Sequence, residues 1–177
     1  MTHNVLIPNK VAAKDVDAYV RPAICASNLD NGNVFQLNSV SGTTGEGEVF
    51  LATAPTSASS TNCWMAGQPE QPFATAGNNV YYGLGNIQDF YNSASAVFTA
   101  FRLNKGDIIT VTADAMDSAT PQAYAVPVAG SFTLAWAPAA STGLSFRYLN
   151  TTYIPIASAS SIGSGRVTAF RLECIGN

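Results

Sequence analysis

Charge is what this chain has least of. Lys, Arg, Asp and Glu make up 11% of its 177 residues, against roughly 25% in an average protein. The eight Lys and Arg residues are scattered without a basic run, and the net charge is −3. Nucleic-acid affinity comes largely from clustered cations, so no nucleic-acid partner is expected. No acidic block is present either. The single histidine, His3, lies two residues from the start of the sequence, where chains are commonly loose. Catalysis by Ser-His-Asp or Cys-His needs a base held rigidly beside its nucleophile, so neither is expected.

Cysteine is also scarce. Cys25, Cys63 and Cys174 are odd in number and widely spaced, which matches neither a disulfide framework nor a zinc pattern; they read as small buried apolar residues. No run of 18 apolar residues occurs, so no membrane-spanning helix is expected. The opening "MTHNVLIPNK" lacks the basic start and apolar core of a signal peptide. The expectation is a chain made in a reducing cytosol and soluble there, unless it leaves within a particle. A Gly-Lys-Ser/Thr phosphate loop is missing, and "GLGNIQ" at 83–88 has neither the third glycine nor the amphipathic helix of a dinucleotide fingerprint. No cofactor and no metal are expected, and no enzymatic activity.

In place of charge the chain has Ala, Ser, Thr, Gly and Asn. A weakly charged surface of small residues suits a protein packed against neighbours. A chain of this length is most simply one domain, or one domain with an appended arm, and can bury roughly 70% of its unfolded surface.

Short strand candidates alternate with turn chemistry. Asn31-Gly32 precedes a strand at 34–37, a hairpin signal because both central residues of such a turn need positive φ. Further strands are predicted at 49–53, around Cys63-Trp64-Met65, and at 79–82, 131–136, 144–149 and 166–175. A single short helix is predicted around 87–95. In the last strand Thr168, Phe170, Leu172 and Cys174 point one way and Ala169, Arg171 and Glu173 the other, as in a half-buried strand. These features predict an all-β fold, mainly an antiparallel sandwich or barrel of short strands, with at most one or two short helices. Residues 1–24 stand apart: Pro8 and Pro22 bias their neighbours toward extended backbone and the apolar positions keep no period. Two readings are open for this segment, an extended arm ordered against a partner or an ordinary edge strand. The boundary is drawn as an arm at 1–24 and a single β-rich domain at 25–177.

The aspartates of "FRLNKGDIITVTADAMD" invite a metal or acid-catalysis reading. Gly106 and its neighbours make a turn, and 108–113 alternates as a strand. Seven residues at ~3.3 Å each hold Asp107 roughly 23 Å from Asp114, too far to share an ion. Asp114 and Asp117 could pair as glycosidase carboxylates, but loop aspartates commonly cap turns, the reading given also to Asp15-Val16-Asp17 and Glu46-Gly47-Glu48. Trp64, Tyr81 and Tyr82 offer stacking faces for a sugar, against the commoner use of aromatics in cores and interfaces.

"DNGNVFQL", "GEGEVFLATAP", "CWMAGQPE", "VYYGLGNIQDFYNSASAVFTAFRLNKGDIITVTADAMD" and "SIGSGRVTAFRLE" resemble, in that order from about 30 to 173, a family of small tailed-bacteriophage head decoration (cement) proteins encoded beside the major capsid protein. These motifs are turn-plus-strand patterns. The resemblance implies a non-enzymatic structural protein on the outer surface of a virion capsid, assembled in the host cytoplasm. It implies the major capsid protein as partner and self-association as a homotrimer or homodimer. The apolar residues of the first segment, Val5, Leu6, Ile7 and Val11, are the expected capsid contacts. The alternative is a receptor- or glycan-binding β-module of a phage fibre or tail using Trp64, Tyr81 and Tyr82.

Overall fold

The computed structural model describes residues 3–14, 16–42, 48–69, 73–76, 79–82, 87–156 and 165–177. The described residues form thirteen strands: β1 (Leu6–Lys10), β2 (Val20–Ile24), β3 (Val34–Val40), β4 (Phe50–Thr53), β5 (Cys63–Ala66), β6 (Phe73–Ala76), β7 (Asn79–Tyr82), β8 (Val97–Arg102), β9 (Ile108–Thr112), β10 (Tyr124–Pro127), β11 (Leu134–Ala137), β12 (Ser145–Ile156) and β13 (Gly165–Gly176). The helical content among them is confined to four three-residue 3₁₀ turns. The all-β expectation holds. The helix expected around 87–95 shrinks to Ile87–Asp89. Just beyond it the Asn92 amide is tied to the Leu29 carbonyl and Ser95 takes φ 61°, so the chain cannot wind further.

Six strands form one antiparallel sheet in the order β1-β9-β13-β12-β10-β11, and five close a small barrel, β2-β4-β3-β5-β8. Within the barrel only the β2–β4 pairing is parallel. Strands β6 and β7 pair with each other. Strand alternation divides the apolar residues between two cores. Ile109 and Val111 of β9 and Phe170, Leu172 and Cys174 of β13 face the barrel, where they meet Val34, Cys63, Met65 and Phe101. The alternate residues of the same barrel strands, Phe35, Trp64, Ala66, Phe98 and Ala100, fill its interior with Ala23 and Ala52. A five-stranded barrel is narrow, and four alanines leave room for the edge-on pair Phe35 and Phe98, 5.6 Å between ring centres.

The segment set apart in the sequence is, from His3 onward, built into both sheets. β1 is an edge strand of the six-stranded sheet, with Leu6 opposite Val111 and Ile7 opposite Thr110; β2 belongs to the barrel. Val5 exchanges two hydrogen bonds with Thr112, its N–H donating to the hydroxyl at 3.1 Å and its carbonyl accepting from the amide at 3.0 Å. An edge position accommodates Pro8, which has no N–H to donate. Of the two readings, the edge strand is therefore the one the fold adopts, and Val5, Leu6 and Val11 are buried.

The Asn31-Gly32 turn forms but makes no hairpin. The Asn33 N–H donates to the Asp30 carbonyl and only Gly32 takes positive φ, 88°, as a type II turn requires. Its flanks go to different partners, Leu29 to Asn92 and Val34 to Met65. At 104–107 the expected turn is present, with Gly106 at φ 95°. The Asp107 carboxylate accepts from the amides of Asn104 at 2.8 Å and Ala12 at 2.9 Å, so this aspartate ties the first segment to the sheet.

Candidate interaction surface

On β2, Arg21 and Ala23 point into the barrel, while Val20, Pro22 and Ile24 point out. Ile24 lies opposite Leu51 on one side and Val97 on the other. Neighbouring strands are ~4.8 Å apart, so the three side chains form a continuous row across β4, β2 and β8. Val97 is 50% exposed, Leu51 39% and Val20 37%. Scattered exposed apolar residues are ordinary, whereas an apolar row across three adjacent strands marks an interaction site. Where β8 turns toward the sheet, the row runs into a small cavity of about 120 Å³ lined by Pro8, Val11, Val20, Gly67, Thr99 and Phe101. Gly67 is required there, since the Phe101 ring occupies the position a side chain at 67 would take.

The structure redistributes the residues expected to make contacts. Val5, Leu6 and Val11 serve the molecule's own core; of the four, Ile7 is exposed, at 39%. Val11 reaches the cavity wall from beneath. Trp64 is closed off as a stacking platform: it belongs to the barrel interior, and the Arg21 guanidinium covers it with its carbon 5.6 Å from the ring centre. Tyr81 and Tyr82 lie on β7, opposite Ala74 and Phe73.

The acidic candidates separate. Asp117 accepts from the Trp136 amide at 3.1 Å and caps the approach to β11. Asp114 is exposed, and its carboxyl is raised above the usual range by desolvation and then by the neighbouring Asp30. Among the described residues no group of three or more His, Cys, Asp or Glu could hold a metal ion. Asp15, Glu46 and residues 83–86 lie outside the described residues.

His3, expected to be loose, is held. Its Nδ1 is 2.6 Å from Asp30 Oδ1, its amide donates to the Gln88 carbonyl at 2.9 Å, and its ring lies 4.8 Å from that of Tyr91. Among the described residues no hydroxyl or thiol hydrogen-bonds the imidazole, so the pair lacks an adjacent nucleophile. Burial pushes the Cys63 thiol up to about 11 and the Cys174 thiol to about 12, and thiols that stay protonated are poor nucleophiles.

The outer row left a trace in the sequence, Val20-x-Pro22-x-Ile24, a period of two. That the row stays uncovered depends on pairing across 27 and 73 positions, which local pattern does not encode. Among the described residues no helix is long and apolar enough to cross a membrane. No family model, curated protein or solved structure matches the chain.

Proposed function

We propose that this chain is a non-enzymatic virion structural protein that binds the outside of a phage capsid shell and stabilises it. The observation that carries the reading is the exposed apolar row of Val20, Ile24, Leu51 and Val97 on the barrel. The weakly charged surface and the resemblance of the strand motifs to head decoration proteins support it. In this reading the row, and not the buried side chains of the first segment, seats against the major capsid protein. Fully burying a Val or Leu side chain is worth ~1.5–3 kcal/mol. Residues already half covered gain about half of that, so the four residues contribute on the order of 3–6 kcal/mol per copy. That is weak for one copy, which favours clustering as a homotrimer or homodimer, since linked copies bind with far greater avidity. Binding only the assembled shell would stabilise that shell by mass action.

The test uses heads purified without the protein. Wild type should co-sediment with them and saturate, and the double variant Leu51→Glu with Val97→Glu should bind at least tenfold more weakly while keeping its circular-dichroism spectrum. Equal binding of the two would remove the row from the mechanism; no binding by wild type would remove the capsid.

A further inference from the structure

Arg21 faces inward on β2, where its neighbours are alanines and aromatic rings. Its guanidinium carbon lies 4.7 Å from the Phe50 ring centre and 5.6 Å from that of Trp64. Among the described residues it makes no ion pair and no hydrogen bond to any group. A guanidinium carries five N–H donors, and those of Arg21, a solvent-exposed residue, are left for a ligand while its carbon rests against the two rings. Arg21 lines a cleft of about 450 Å³ together with Ala18, Val20, Pro22, Val40 and Phe50, and among the described residues Glu48 is the carboxylate in the lining.

We propose that this cleft binds a carboxylate carried by an extended, otherwise apolar segment of a partner protein. A guanidinium matches a carboxylate through two parallel hydrogen bonds, and contact with the Phe50 and Trp64 rings reduces the side-chain freedom lost on binding. Charge complementarity favours a single negative charge: Arg21 attracts it, and the repulsion from Glu48, present for any anion, grows with each further charge and is larger for a phosphate dianion. The side chains of the walls favour a peptide. Among the described residues the side chains beside Arg21 and Glu48 in the lining are Ala18, Val20, Pro22, Val40 and Phe50, which suit the apolar neighbours of an Asp or Glu. The cleft meets the exposed row at Val20, so a bound segment has a path along the outside of β2. The inference concerns the chemistry of the ligand and holds whether the partner is a capsid subunit or another protein.

The test begins with randomised heptapeptides displayed on yeast and selected against the whole protein. Enriched sequences should carry a single Asp or Glu between Val, Leu or Ile residues. Synthetic copies should quench or shift the fluorescence of Trp64 in a Trp136→Phe background. Changing the acid to its amide, or Arg21→Gln in the protein, should each weaken binding at least tenfold, with Arg21→Lys intermediate. The peptide-side change keeps the test valid if an Arg21 variant fails to fold. Enrichment without acidic residues, no enrichment, or binding indifferent to both changes would overturn the proposal. Tighter Arg21-dependent binding of a uronate oligosaccharide or of inorganic phosphate would overturn the ligand class.

Discussion

The Asn177 side chain pairs with the barrel as a stretch of backbone would. Its Oδ1 accepts from the Cys63 amide at 2.8 Å, and its Nδ2 donates to the carbonyls of Cys63 and Leu103, both at 2.9 Å. It follows β13, so one amide ties the six-stranded sheet to β5 of the barrel and to Leu103, the residue just past β8. Cys63 and Leu103 are each 1% exposed, so backbone groups stripped of this partner stay largely out of water. A buried group left unpaired costs ~1–3 kcal/mol, and a typical hydrogen bond contributes ~0.5–1.5 kcal/mol net. Three bonds at the half-buried Asn177, where water can replace some of the loss, give ~2–4 kcal/mol for Asn177→Ala. Asn177→Asp should be worse at pH 7, because it sets a carboxylate oxygen against two carbonyls, and it should recover part of the loss in acid, where its protonated form donates again. Urea unfolding followed by circular dichroism and by tryptophan fluorescence reads both variants. A loss under about 0.5 kcal/mol for Asn177→Ala, or an aspartate variant no worse than alanine at pH 7, would refute the claim that this amide couples the two sheets.

Three further outcomes follow from the packing and the ionisable groups. Gly143→Ala should cost at least ~3 kcal/mol or abolish folding, because its Cβ would fall on the backbone carbonyls of Ser59 and Ser60, which cannot move aside as a side chain can; thermal unfolding measures it. Cys63 and Cys174 have folded-state values raised from 9.0 to about 11 and about 12, so the unfolded thiols ionise first and stability falls as pH rises above 9. At pH 10 each contributes a loss of about 1.4 kcal/mol, which Cys63→Ala and Cys174→Ala should each remove from the slope of stability against pH. Asp114, raised by desolvation and by Asp30, binds a proton more readily folded than unfolded, so its charge opposes folding at neutral pH and stops doing so as pH falls through the carboxylate range. Asp114→Asn should raise the melting temperature slightly at pH 7 and leave it unchanged near pH 3; a uniform shift at both would contradict the assignment.

Local chemistry in this sequence is legible where it is self-contained. The Gly106 turn, the alternation of β9 and the span of β7 at Asn79–Tyr82 follow from residues within reach of one another. The penultimate strand, expected to end at 149, runs as β12 to Ile156. Asn150 and Thr151 are exposed, as is Tyr153 at 59%, and a polar stretch of that kind resembles a loop. The expected strand at 131–136 starts at Leu134 because Ser131 and Thr133 bond to each other, 3.0 Å between hydroxyls, to make the preceding turn. The first segment is harder still. Its fate depends on β9, about a hundred residues away, whose edge accepts Leu6 and Ile7, and no local period records that. Likewise the contact of Arg21 with Phe50 and Trp64 joins β2 to its neighbour β4 and to β5, which comes within reach only once the barrel closes.

The proposed capsid role is read out by electron cryomicroscopy of virus particles assembled in the presence of this protein. Density for the fold is expected on the outside of the capsid shell, in symmetric clusters, with Leu51 and Val97 turned toward the shell. Particles without that density, or with those two residues facing solvent, would contradict that role.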